Sequence, residues 1–235
     1  MIKLYYTETA LAHTDETALL SQITSDRYTQ IERRPYADRI VSAAAACLLR
    51  YALCDCGYAA YADAPIVWEG KPHFADPAIS VRFNLSHTVD KARGMFAAAV
   101  LLSDGGEVGV DLEFVHPIQN RAALERRLLT SGEREYLAQC GTASAFFDIW
   151  CAKEAFVKWT GEGFAHPLST VSVDVTEKKA VSGEVSCDLA WYSFGESRIC
   201  CAAEALSSGV QCTALTMEQA VSLRSTGGNN GTHHS

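Results

Sequence analysis

No stretch of this 235-residue sequence approaches the roughly 20 consecutive apolar residues that a membrane-crossing helix needs. Its opening segment, MIKLYYTETALAHTDETALL, carries acids where a secretory signal would need an unbroken apolar core. The expectation is a soluble cytoplasmic protein with no membrane partner. Proline is sparse, at six, and the sixteen glycines are no more than ordinary, which excludes collagen-like and low-complexity architectures. Positive charge is also short. Twenty Lys and Arg stand against twenty-eight Asp and Glu, a net charge of −8, so no general attraction to nucleic acid is expected. A polyanionic ligand must then be held by a local cluster of cations. Neither a GxxxxGK[ST] loop nor a GxGxxG turn occurs, which counts against P-loop and dinucleotide-binding folds. The nine cysteines are odd in number, scattered and without a CxxC pair, the pattern of reduced core thiols rather than of a disulfide framework or a zinc site.

What the chain does contain is ample core material, 48% hydrophobic residues, enough for one large domain or two halves of about 110 residues. Residues 37–53, ADRIVSAAAACLLRYAL, hold no Gly or Pro and predict a buried helix. Strands are predicted at 2–6, 81–85, 94–102, 108–114, 171–175, 189–194, 199–203 and 211–216. Helices are predicted at 16–23, 121–129, 131–138 and 145–159, the third opened by the capping-box spacing Thr130 to Glu133 and the last closed by Gly161. The order predicts an α+β protein of two halves, 1–103 and 104–222, each a small antiparallel sheet packed with helices. A polar tail, 223–235, is predicted to be disordered.

Three clusters could carry chemistry. In the strand Val108–Phe114, alternation puts Val108, Val110, Leu112 and Phe114 on one face and Asp111 and Glu113 on the other. Two carboxylates starting about 7 Å apart repel by roughly 2 kcal/mol at an effective dielectric near 20, so a partly enclosed pair calls for a cation. All-oxygen ligands favour magnesium or manganese over zinc. Taken alone, such a pair is more often the wet face of a sheet. On the helix FDIWCAKEAFVKW, Ile149, Ala152, Ala155, Phe156 and Trp159 form an apolar stripe, with Glu154 and Lys158 together on the far side as an i, i+4 pair. Trp150 and the glycines at 161 and 163 suit a cleft better than an open surface. The third cluster is Ser86-His87 at the end of the strand FNLSH, where hydroxyl and imidazole could hold a phosphate or simply cap a turn. As sequence neighbours on a strand they face apart, so they imply no serine-histidine nucleophile.

Read in order, GKP at residues 70–72, FNLSH at 83–87, GVDLE at 109–113 and WCAKEAFVKWTGEG at 150–163 resemble the Sfp-type 4'-phosphopantetheinyl transferases, over roughly residues 36–175. The resemblance implies two pseudo-symmetric halves in a monomer. The implied activity is transfer of the phosphopantetheine arm of coenzyme A to a serine hydroxyl of an apo acyl or peptidyl carrier protein, releasing 3',5'-ADP. It implies that Asp111, Glu113 and Glu154 bind Mg2+ or Mn2+, and that Lys158 contacts the diphosphate. Glu154 is expected to take the serine proton, with Glu113 as second choice. Gly70, Lys71 and Pro72 match the segment that frames adenine, and Ser86 and His87 those that hold the 3'-phosphate. Arg39 and Arg50 lie on the helix where relatives place phosphate-binding arginines. Val41 replaces a basic residue often found there, leaving Arg33 or Arg34 to compensate. Lys153, about 100° around the helix from Glu154, is expected to flank the cleft. Carrier docking is expected on the helix bearing Arg121, Arg126 and Arg127 beside Leu124 and Leu128. The competing readings are a magnesium-dependent nucleotide pyrophosphohydrolase and a non-catalytic coenzyme A or carrier-binding module.

Overall fold

The computed structural model describes residues 1–222, Phe164 by its backbone alone, so the predicted tail at 223–235 lies outside the described residues. In chain order the first half contains β1 (Ile2–Ala10), α1 (Glu16–Leu20), α2 (Ser25–Ile31), α3 (Tyr36–Asp55), β2 (Ile66–Val67), β3 (His73–Phe74), β4 (Arg82–Asp90) and β5 (Met95–Ser103). The second contains β6 (Val108–Phe114), α4 (Arg121–Leu128), α5 (Ser131–Cys140), α6 (Ala143–Thr160), β7 (Ser172–Asp174), β8 (Lys179–Ser182), β9 (Val185–Phe194) and β10 (Ser197–Ala203). β11 (Gln211–Ala214) and α7 (Met217–Ser222) follow.

Two sheets form, β11-β1-β5-β4 and β6-β10-β9-β8-β7, with a small β2-β3 ribbon apart. They stack between two long helices in the order α3, first sheet, second sheet, α6. Strand alternation writes this layering into the sequence. On β5, Phe96, Ala98, Val100 and Leu102 join the cluster around α3, while Ala97, Ala99 and Leu101 meet Val110, Leu112, Ile199 and Cys201 of the second sheet. With both faces covered, β5 reads as an unbroken apolar run. Likewise Cys200 and Ala202 of β10 face α6 while Ile199, Cys201 and Ala203 face the first sheet. All nine cysteines are free, and five of them are buried.

The expected α+β class and long helices are present, with differences that include the unpredicted β2–β3 ribbon and α7. β11 pairs in parallel with β1, and Leu215, Met217 and Ala220 join the first core. Residues 211–222, assigned by sequence to the second half, therefore complete the first, because the free edge of β1 takes this strand as its partner. The predicted helix at 16–23 ends at Leu20, and a separate α2 follows, capped by Thr24. β8 is an additional short strand between β7 and β9.

Candidate active site

The site is set by one close approach. A Cβ added at Gly109 would lie 2.0 Å from the Ala155 carbonyl oxygen and 2.5 Å from the Trp159 nitrogen, so only glycine lets β6 rest directly on the α6 backbone. The acidic face of β6 is thereby pressed against α6 instead of facing water, and Asp111 is 5% exposed. One turn of α6 supplies Glu154 and Lys158. Lys158 does not pair with its i−4 neighbour. Its Nζ donates to Asp111 Oδ1 at 2.6 Å and to Ser86 Oγ at 3.0 Å.

The other wall comes from β4, the edge strand of the first sheet. Its alternate residues 84, 86 and 88 meet β6 through side chains. Asn84 Oδ1 accepts from Val110 N at 2.9 Å, Ser86 Oγ donates to Asp111 Oδ1 at 3.0 Å, and Thr88 Oγ1 donates to Glu113 Oε2 at 2.8 Å. The result is a cleft of about 450 Å³ between the halves, lined by Arg27, Arg34, Trp68, Pro72, Ser86, His87, Asp111, Glu113, Trp150, Glu154 and Lys158.

Burial and then the Asp111 charge raise the Glu113 carboxyl to about 7, against the pull of Thr88 and Lys158. The same two causes, in the same order, raise Glu154 above the ordinary carboxylate range. Asp111 Oδ2 is buried without a hydrogen-bond partner. An all-carboxylate set whose members repel one another, with an orphaned oxygen among them, suits a hard divalent cation. It is not a ready-made cage. Among the described residues, no three His, Cys, Asp or Glu side chains are gathered closely enough to hold an ion, and the Lys158 ammonium sits on Asp111.

Cations on the first-half side of the cleft are Arg27 and Arg34. Arg27 is buried beneath Trp68, its guanidinium carbon 3.9 Å from the ring centroid, and its Nη1 donates to Gln30 Oε1 at 3.2 Å. Burial and then Arg34 lower it to about 10. Arg34 donates to Ser42 Oγ at 3.0 Å. Beside them, His87 lines the cleft with its side chain exposed at the mouth. Partial desolvation by the surrounding walls, then Lys158 and Arg27, shift its imidazole down to about 4.

Of the expected site residues, Asp111, Glu113, Glu154, Lys158, Ser86, His87 and Pro72 are thus brought together. Arg39 and Arg50 are not. Arg39 Nε donates to Glu16 Oε1 at 2.6 Å, and Arg50 pairs with Asp63, because each finds a carboxylate on its own face of α3. Arg39 does touch the cleft indirectly, donating to the Arg34 carbonyl at 3.0 Å. Lys71 points away into a neighbouring pocket of about 360 Å³. There its Nζ donates to Glu107 at 2.6 Å and to the Trp159 carbonyl at the end of α6 at 3.0 Å, while Gly70, at φ +71°, makes the turn before it. Lys153 does not flank the cleft. It is fully buried between α6, α5 and residues 168–171, bonded to Glu133 at 2.9 Å and to the carbonyls of Leu168 and Val171. Sequence reading missed Arg27 and Thr88. The Thr24 cap with Asp26 in the first turn would have revealed α2, and period-2 spacing from Ser86 would have marked Thr88.

Beyond Glu154 and Lys158 the cleft continues into a groove of about 410 Å³ whose walls include Arg127, Leu128, Val157, Pro167 and Leu168. On α4, Leu124 and Leu128 pack on the second core, Arg121 pairs with Glu125 at 2.6 Å, and Arg126 and Arg127 are exposed.

A strand acid pair and a helix glutamate and lysine, meeting under a cationic wall, make a site of the kind that handles phosphate esters. Residues 107–208 match the family model of the 4'-phosphopantetheinyl transferase superfamily. 4'-phosphopantetheinyl transferase AcpT of Salmonella typhimurium is 40% identical over 117 residues, covering 48% of this chain and 56% of that protein. AcpT of Escherichia coli K12 is 38% identical over 117 residues, 48% and 55% of the two chains. 4'-phosphopantetheinyl transferase ffp of Bacillus subtilis is 30% identical over 119 residues, 49% of each. The chain thus spans about half the length of the curated relatives it matches. The superfamily span holds Asp111, Glu113, Glu154 and Lys158, while Arg27, Arg34, Ser86 and His87 lie before it.

Proposed function

We propose that this protein transfers the 4'-phosphopantetheine arm of coenzyme A to a serine hydroxyl of an apo acyl or peptidyl carrier protein, releasing 3',5'-ADP. The observation that carries this reading is the single cleft in which Arg27, Arg34 and His87 of one half oppose Asp111, Glu113, Glu154 and Lys158 of the other. Coenzyme A needs two such ends, one for its 3'-phosphate and one for its diphosphate. Both ends come from one chain, so the protein acts as a monomer.

In this reading Arg34 and His87 hold the 3'-phosphate, with Arg27 beneath them as a buried positive charge. The segment Gly70, Lys71 and Pro72 frames adenine. Lys158, released from Asp111, contacts the diphosphate as a fixed cation where negative charge collects. Asp111, Glu113 and Glu154 stand too far apart in this structure to form a cage. They would turn together to hold Mg2+ or Mn2+ once Lys158 leaves Asp111, and the ion when bound supplies electrostatic stabilisation of the departing ADP. The serine oxygen forms a bond to the phosphorus next to the pantetheine arm, the bond from that phosphorus to the ADP oxygen breaks, and the serine proton passes to Glu154. The raised affinity of Glu154 for a proton suits it to that task. Ser86, buried against Asp111 and Lys158, orients those two groups instead of facing the 3'-phosphate.

Carrier proteins are acidic, and the exposed Arg126 and Arg127 beside the groove offer a complementary surface. The deciding experiment incubates the protein with coenzyme A, Mg2+ and an apo carrier, then weighs the carrier. A phosphopantetheine increment supports transfer. Coenzyme A cleaved without that increment indicates a pyrophosphohydrolase, and binding alone a non-catalytic module. Reversing charge at both Arg126 and Arg127 should raise KM for the carrier and leave KM for coenzyme A unchanged.

A further inference from the structure

We propose that Thr88 is a positioning residue for the carboxylate cleft, acting through Glu113. The inference rests on the reading of the cleft as a divalent-metal and diphosphate site. Thr88 is two residues beyond Ser86 on β4, so the strand period aims both hydroxyls at β6. Its Oγ1 donates to Glu113 Oε2 at 2.8 Å, while no hydrogen bond among the described residues engages Oε1.

Glu113 borders two spaces. One is the cleft, and the other is an outer concavity of about 670 Å³ between the β4–β5 turn and residues 114–117. A glutamate with three rotatable bonds could turn into either. Thr88 stands at the wall of the outer concavity and ties one oxygen there, which limits the carboxylate to a narrow range of orientations. A β-branched residue does this well, because its χ1 is stiff and its hydroxyl is held in one direction. Since Thr88 belongs to the first half and Glu113 to the second, the acid is correctly aimed only when the two sheets are docked.

The test compares Thr88→Val and Thr88→Ala, which remove the hydroxyl, with Thr88→Ser, which keeps it. Mn2+ binding is measured on the protein alone from the spin-resonance signal of free Mn2+. Steady-state transfer gives kcat and KM for coenzyme A, and thermal midpoints check the fold. Both hydroxyl-free variants should bind Mn2+ at least roughly tenfold more weakly, with a matching fall in kcat and a KM within about twofold of wild type. T88S should restore both quantities to within about threefold. Wild-type Mn2+ affinity and kcat in T88V and T88A would overturn the role, and so would an equal loss in T88S. A wild-type protein with no affinity for Mn2+ would overturn the metal reading itself, and this role with it.

Discussion

Ser86 and Asp111 are joined by a 3.0 Å hydrogen bond across the boundary between the two sheets, and Lys158 donates to both of them. This triangle links the first half, the acidic strand and the long helix at one point. Ser86→Ala should lower kcat about tenfold, the order expected when a hydrogen bond to a charged group is lost. KM for coenzyme A should change little. Because the three groups form one network, the loss in Ser86→Ala/Lys158→Met should be smaller than the product of the single losses. Strictly multiplicative losses in steady-state kinetics would mean that the serine acts independently of the lysine.

The cationic wall predicts a division among the arginines. Arg34→Gln should raise KM for coenzyme A by roughly tenfold or more, the usual consequence of removing a charge-assisted hydrogen bond to a phosphate. With 3'-dephospho-coenzyme A the same substitution should have little effect. Arg39→Gln and Arg50→Gln break pairs with Glu16 and Asp63 outside the cleft lining and should leave KM nearly unchanged. Equal effects on coenzyme A and its dephospho form would remove Arg34 from the 3'-phosphate site.

Gly109→Ala tests the contact between β6 and α6. The added methyl would collide with backbone atoms of Ala155 and Trp159, which cannot swing aside as a side chain can. Overpacking of this kind typically costs about 1–3 kcal/mol. The thermal midpoint should fall, and in the folded fraction kcat should fall further, since Glu154 and Lys158 are pushed away from Asp111. An unchanged midpoint would contradict the close approach.

A pH prediction follows from Glu113. Its carboxyl is raised from 4.5 to about 7, so the native fold holds this proton more tightly than the unfolded chain does. The resulting stabilisation is complete below about pH 4.5 and is lost as pH rises through about 7. In metal-free protein with chelator present, the thermal midpoint of wild type should therefore decline more steeply between pH 5 and 8 than that of Glu113→Gln. His87, held neutral in the fold, is present in both proteins and cancels in the comparison. Parallel curves would show that Glu113 titrates normally.

Much of the site is legible without coordinates because its parts are local. Alternation in Val108–Phe114 separates the acids from the apolar face, and helix periodicity places Glu154 with Lys158. Periodicity gives the direction of a side chain but not what waits there. Lys153 shows the limit. A lysine about 100° from Glu154 reads as flanking the cleft, yet it is enclosed because α5 brings Glu133 to neutralise it and residues 168–171 bring carbonyls to accept its hydrogen bonds. Arg39 and Arg50 fail for the converse reason, since nearby Glu16 and Asp63 capture them before the cleft can.

Residue order along the chain by itself determined the α+β class, the buried long helices, the acidic face of one strand and the Glu154–Lys158 turn, all of them consequences of short-range period and propensity. Only the tertiary structure decided that β11 returns to the first sheet, that Lys158 binds Asp111 rather than Glu154, and that Arg27 and Thr88 enter the site. Those outcomes depend on which distant surfaces exclude water together, and at Gly109 on a few ångströms of backbone clearance, quantities that no local pattern encodes.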